Sequence, residues 1–327
     1  MVDKNNLPIF LRVFSYSILA FTFIFLVNNV LTVWFDWPGL KQLFAHHGLF
    51  GFKKLSTPLD GAVLTLTYIQ LSFYFISFIA VIYFVLKSIN QTLETDAKIL
   101  TNITAYIVRS SFWAVLIVGI ADFIISFLVV EKLAEPIFNE AIKINLVIPT
   151  FRITFIHFPL ILISFVIGYF TRSVGFIWLA VLVVGSEFLI VLSRFIFEYE
   201  QAFQGDLVRF WYAALYLFAS AYALIHEGHV RVDVLYTGFS ERKKAWTNTI
   251  GSLLFGIPLC LIIIFLGMGG KASIINGPVI SFEITQQGSN GLYLLYLMAV
   301  YLAVFAVTML IQFTSYFMDS SHKLLKN

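Results

Sequence analysis

Residues Ala223 to Lys244 read ALIHEGHVRVDVLYTGFSERKK, a polar run in an otherwise lipid-soluble second half. Val232, Leu235, Tyr236 and Phe239 recur at i, i+3, i+4 and i+7, the apolar stripe of an amphipathic helix. HVRVDV also alternates polar and apolar residues with period two, a strand pattern. An isolated strand cannot satisfy its backbone beside a bilayer, so the helix is preferred. Gly238 is placed to end that helix, and Ser240 with Glu241 to open the next. Long apolar runs flank the stretch on both sides. It therefore reads as a short interfacial helix between two spanning helices.

Composition fixes the class. Of 327 residues, 60% are hydrophobic, 17% aromatic and 12% charged, and the mean hydropathy is +0.90. A soluble domain carries about 25% charged residues to cover its surface. The formal charge of +3 gives no nucleic-acid signal, since the basic residues are scattered between apolar runs. One cysteine, Cys260, excludes an intrachain disulfide and a cysteine-based metal cluster. MVDKNNLPIFLR is weakly basic, but the apolar run behind it is too long for a signal sequence and lacks a small-residue cleavage site. It is retained as the first span.

A hydrocarbon core about 30 Å thick needs about 20 helical residues. Eight runs meet that length: Ile9–Phe35, Gly61–Leu86, Ile103–Val130, Val147–Phe170, Val174–Phe197, Leu207–Ile225, Thr247–Met268 and Leu292–Met318. The fold expected is all-α: a polytopic membrane bundle of about eight transmembrane helices plus the short interfacial amphipathic helix. The fourth run is interrupted by Pro149, Arg152, His157 and Pro159, where a kink or a late start is expected. Asp36–Asp60 is a long loop, and Lys87–Asn102 reads as a polar connector. Thr171-Arg172-Ser173 separates residues 1–172 from 173–327, with four spans on each side. With the N-terminus inside, twelve lysines and arginines fall on the cytoplasmic side against nine outside. That bias favours both termini in the cytoplasm.

His226-Glu227-Gly228-His229 invites a metalloprotease reading. Its histidines are three residues apart, whereas zinc binding from one helix needs a spacing of four. Di-iron membrane enzymes need several histidine clusters, and this chain has six histidines in all. The plainer reading is an interfacial histidine pair at a helix end. His229, Arg231 and Asp233 alternate and in a helix spread over an arc; they form either a wet face or a surface for a partner. Arg242, Lys243 and Lys244 make a small basic cluster suited to anionic lipid headgroups.

Ionisable residues within spans are stronger signals, because each needs a partner or water. Glu187, Arg194 and Glu198 fall at i, i+7 and i+11 on one helix face, with Arg194 and Glu198 spaced to pair. Asp122 stands alone in the third span, where a basic partner on another helix is expected. His157 reads as a helix–helix hydrogen-bonding residue.

HVRVDVLY, followed by SERKKAW and then GSLLFGIP, resembles the small membrane (Q-type) subunit of tripartite ATP-independent periplasmic (TRAP) transporters. The subgroup it most resembles is annotated for mannitol or chloroaromatic compounds. The resemblance runs from about Val174 to Met318, leaving the first four spans as an N-terminal extension. Arg194 lies where that family carries an arginine, and Glu283 in SFEITQQGSN where it carries a glutamate. Gln204-Gly205-Asp206 and Tyr296-Leu297-Met298 depart from its pattern. The resemblance implies a non-catalytic scaffold without a cofactor, in a bacterial or archaeal inner membrane. It implies a large permease subunit that holds the substrate and sodium sites. It also implies a periplasmic binding protein that delivers an organic anion. Two rival readings are an autonomous secondary transporter using Asp122, Glu187 and Arg152, and an integral membrane enzyme using His226 and His229.

The orientation is directly testable. A cysteine placed in the Asp36–Asp60 loop is expected to react with an impermeant thiol reagent added outside, and a cysteine at Ser240 to stay unlabelled. The reverse pattern overturns the topology.

Overall fold

The structure, a computed structural model, describes residues 6–172, 176–199, 201–225, 236–284 and 291–326. Among them the secondary structure is helical, with no strand. The helices are α1 (Leu7–Trp34), α2 (Leu40–His47), α3 (Gly61–Lys87), α4 (Leu93–Val130) and α5 (Glu140–Leu146). They continue with α6 (Pro149–Phe170), α7 (Phe176–Phe197), α8 (Ala202–Ile225), α9 (Glu241–Gly267), α10 (Asn276–Ile280) and α11 (Leu295–Lys326). Eight of these, all but α2, α5 and α10, are long and apolar enough to cross a membrane. The protein is an all-α polytopic bundle. Most of the interfacial helix expected around Ala223–Lys244 lies outside the described residues.

Several boundaries differ from the hydropathy reading, for identifiable reasons. The connector expected to run to Asn102 is helical from Leu93. Thr92 Oγ1 accepts the Thr95 amide at 3.2 Å, and Glu94 and Asp96 in the first turn complement the helix dipole. The resulting α4 has 38 residues, about 57 Å at 1.5 Å per residue. Likewise α9 begins at Glu241, so the basic cluster lies within its first turn. Ser240 precedes it in extended conformation without a side-chain capping bond. The Asp36–Asp60 loop contains α2, entered at Gly39 (φ 76°) and ended at Gly48 (φ 64°), both conformations that glycine adopts without a Cβ penalty.

Two prolines sit inside spans without breaking them. Pro159 lacks the N–H that would complete the α-helical ladder, and the turn before it, Ile153–His157, is wound as a π turn. Phe158 donates its amide to the Ile153 carbonyl, five residues back. Ser252–Gly256 does the same before Pro258, with the Ile257 amide on Ser252. Each inserted residue accommodates the proline without ending the span.

By its contacts the chain forms two compact units. The first comprises residues 1–100, 233–273 and 313–327; the second, 101–232 and 274–312. This division follows packing and is distinct from the sequence division at residue 172, which marks where the family resemblance begins. In the first unit, Arg12 of α1 is buried. Its Nε donates to Asp96 Oδ2 of α4 at 2.5 Å, Nη1 to the Ser88 carbonyl at 2.7 Å and Nη2 to Ser88 Oγ at 2.8 Å. A Cβ on Gly256 would stand 2.5 Å from the Phe313 ring, so α9 and α11 meet there at a distance that only glycine permits. In the second unit Phe112, Val115, Phe203, Phe210, Trp211, Phe218, Leu292 and Tyr301 belong to one buried cluster. Gly168 admits Ser110 of α4 in the same way, a Cβ falling 2.9 Å from Ser110 Cα.

Removing one member of a buried ion pair typically costs about 3–5 kcal/mol, because the other charge is left without compensation. Arg12→Met is therefore expected to lower the thermal unfolding temperature more than Arg12→Met combined with Asp96→Leu. Equal or greater loss in the double variant shows that the pair is not the source of the effect.

Candidate functional site

The second unit holds a buried cluster of ionisable side chains. Asp122 of α4 is fully buried, as are Arg152 and His157 of α6. Arg152 Nη1 donates to Asp122 Oδ1 at 2.9 Å and to Ser126 Oγ at 2.9 Å. Its Nε and Nη2 both donate to the Leu146 carbonyl, at 3.0 and 2.7 Å. The guanidinium carbon lies 3.8 Å from the centre of the Tyr293 ring, a cation–π contact strengthened by its dry surroundings. His157 Nε2 lies 3.1 Å from Asp122 Oδ1, and Nδ1 lies 3.0 Å from the Tyr296 hydroxyl. One assignment satisfies all three groups: Nε2–H donates to the carboxylate, and the Tyr296 O–H donates to Nδ1.

The π turn makes this convergence possible. In a regular helix, residues five apart lie about 140° apart around the axis. The extra residue in Ile153–His157 turns His157 back toward the face of Arg152, so both reach the same carboxylate oxygen. Pro159 is thus the local sequence cause, and the shared Asp122 contact its consequence.

Asp122 also fastens the approach to the last helix. Its Oδ2 accepts the Tyr293 amide at 2.8 Å, while Asp206 Oδ2 of α8 accepts the neighbouring Leu292 amide at 3.0 Å. Two carboxylates from two different helices thereby hold the segment that leads into α11. The Tyr293 hydroxyl donates to the Val147 carbonyl at 2.9 Å. Burial raises the Tyr293 phenol above its ordinary value against the opposing pull of Arg152, which keeps that proton in place. The remaining Asp206 oxygen lies 4.0 Å from Arg209. Every arm of Arg152 is occupied, and both oxygens of Asp122 accept. This is the chemistry of a structural clamp.

The residues expected to meet a partner lie elsewhere. Glu187 and Arg194 are both exposed on α7. Helix α7 ends at Phe197, and Glu198 takes a left-handed conformation (φ 61°). The helical register that placed Glu198 one turn beyond Arg194 therefore stops at that residue. Glu283 is exposed, and its backbone accepts the Tyr296 amide at 3.0 Å, placing it beside the start of α11. Arg242 and Lys243 are exposed. Lys244 is half-buried, pairs with Glu241 at 3.0 Å and sits 5.9 Å from the Tyr236 ring. His226, His229, Arg231 and Asp233 lie outside the described residues. Asp206 is a residue whose role sequence reading missed, because a carboxylate that accepts one backbone amide 86 positions away leaves no local pattern.

Asp122→Ala strands Arg152 and frees the Tyr293 amide, so it is expected to lower stability by about 3–5 kcal/mol. Asp122→Asn, which retains an acceptor, is expected to lose less. Thermal unfolding of the purified variants checks this, and identical losses remove charge from the explanation.

Comparison with known proteins bears on residues 174–318, which match the family model described as "Tripartite ATP-independent periplasmic transporters, DctQ component". No curated protein and no solved structure matches the chain. Over that stretch, rather less than half of its length, the chain is similar to the DctQ component, a transporter family and not an enzyme family.

Proposed function

We propose that this chain is the small, non-catalytic permease component of a TRAP transporter, and that it holds the large permease through α7. The observation that carries the reading is Glu187. It stands midway along the apolar span Ile177–Ile196 and is exposed. An acidic residue at the centre of a spanning helix costs about 2.5–3.5 kcal/mol on insertion scales unless it finds a partner or water. A second chain packed on α7 supplies that partner, and α7 lies within the stretch similar to the DctQ component.

In this reading the large permease carries the substrate and sodium sites, and a periplasmic binding protein delivers an organic anion. Residues 1–172 form an extension to a four-helix core, and both termini face the cytoplasm. Arg242 and Lys243 meet lipid headgroups, and Arg194, Glu198 and Glu283 border the permease. The autonomous-transporter reading is weaker. Asp122 and Arg152 are committed to each other and to backbone groups, while Glu187 lies on an outward surface.

Pull-down yield measured beside uptake tests the proposal. Glu187→Leu and Arg194→Ala are each expected to reduce co-purification of the large subunit several-fold and to lower uptake in proportion. Arg194→Lys should recover part of the loss, since charge survives and the planar fork does not. Loss of uptake with the complex at full yield places these residues in the transport cycle and overturns the scaffold role.

A further inference from the structure

Residues 37–59, which join α1 to α3 in the first compact unit, contain three lysines, two histidines and no acidic residue. Helix α2 is seated firmly within them. Leu43 is buried, the Gly39 amide donates to Gln70 Oε1 of α3 at 2.9 Å, and the Lys41 ammonium donates to the Gly269 carbonyl. At the far end of α2, His47 Nε2 lies 2.9 Å from the Tyr68 hydroxyl of α3. These bonds fix the depth of α2. A hydrocarbon core takes about 20 of the 27 residues of α3. Wherever that stretch begins between Gly61 and Lys87, Tyr68 and Gln70 fall at or below the headgroup boundary.

Directly after His47 the chain forms a tip held by its own backbone. The Leu49 amide donates to the Phe44 carbonyl at 2.9 Å, Phe52 to Leu49 at 3.0 Å and Leu55 to Ala45 at 3.1 Å. This ordered tip turns apolar side chains outward: Phe50 is 81% exposed, Leu49 48% and Phe52 39%. Phe50 holds a φ of 53°, a left-handed conformation that a bulky residue enters at a cost. Phe44 backs the two rings, with centroids 5.0 and 6.1 Å away. Lys53 and Lys54 follow at once, and both are exposed. Outward aromatic rings with adjoining cations, at this depth, are the chemistry of an interfacial membrane anchor.

We infer that the tip after α2 binds anionic phospholipid: Leu49, Phe50 and Phe52 enter the upper acyl region of the leaflet, and Lys53 and Lys54 take the phosphates. The depth of α2 selects the bilayer over a soluble protein, since the tip adjoins Tyr68 and Ile69, exposed side chains of a spanning helix. The charge selects the headgroup, since residues 37–59 hold no carboxylate to answer the lysines. The tip lies outside residues 174–318 and does not depend on what covers α7.

The experiment uses the full chain carrying Leu49→Cys, labelled there with bimane in phosphatidylcholine vesicles. Cys260 is buried and stays in place, with the labelled parent chain as background. Phosphatidylglycerol or phosphatidylcholine with brominated acyl chains is added at equal mole fraction, and bromine quenches the label only near contact. Both lipids are expected to quench, with phosphatidylglycerol favoured about fivefold or more, the effect of one lysine at a membrane surface. Lys53→Gln with Lys54→Gln, both at exposed positions, should remove that preference and leave quenching by brominated phosphatidylcholine. Phe50→Ser should lower quenching by either lipid about twofold and open the label to aqueous iodide, since anchoring scales with buried apolar area. No quenching by either lipid, with the label open to iodide, puts the tip in water as a surface for a soluble partner and overturns the inference. Equal quenching by the two lipids, or a preference that survives loss of both lysines, overturns the anionic-phosphate assignment.

Discussion

A charge that enters hydrocarbon must be met there, and much of this molecule's polar interior follows from that constraint. Asp122 is met by Arg152, His157 and the Tyr293 amide. Because Asp122 stands on α4 and these partners come from α6 and the approach to α11, one carboxylate fixes the relative positions of three parts of the second unit. Arg12 does the same in the first unit, joining α1 to the turn at Ser88 and to Asp96. Neither pair is a stability bonus in itself, since burying both members costs much of what their attraction returns. Their effect is on specificity: a misplaced helix would leave a charge alone in a dry interior.

Backbone geometry serves the same end. A proline in a span would ordinarily leave a carbonyl without its donor. Here each of the two π turns shifts the ladder by one residue just before a proline. In α6 that shift also brings Arg152 and His157 onto one oxygen. Glycine acts differently, by subtraction. At Gly168 and Gly256 the neighbouring helix occupies the space of the missing side chain. With little hydrophobic drive between helices in lipid, such close approach supplies the packing.

The contrast between two kinds of acidic residue organises the functional reading. Asp122 and Asp206 are turned inward and occupied by amides of the same compact unit. Glu187, also within an apolar span, is exposed. The buried carboxylates are met by side chains and amides of the same chain, whereas Glu187 is left on an exposed face. That contrast is what the proposed role in an assembly rests on.

The sequence by itself determined the class, the number of spans and the unusual character of the fourth one. Hydropathy over about 20 residues is a local property, and so is proline's missing N–H. Both can be read without knowing what touches what. The family resemblance was legible for the same reason, resting on contiguous motifs between Val174 and Met318. Sequence also marked Asp122 as needing a partner, since the cost of a lone acid in a span is fixed by its position. Only the tertiary structure decided which partner. Arg152 lies 30 residues from Asp122, and Asp206 lies 86 from the amide it accepts. The helical extension back to Leu93, the loss of register at Glu198 and the seating of α2 against α3 were likewise undecided. Each depends on capping bonds, backbone twist or contacts between helices, quantities that arise only when distant segments are brought together.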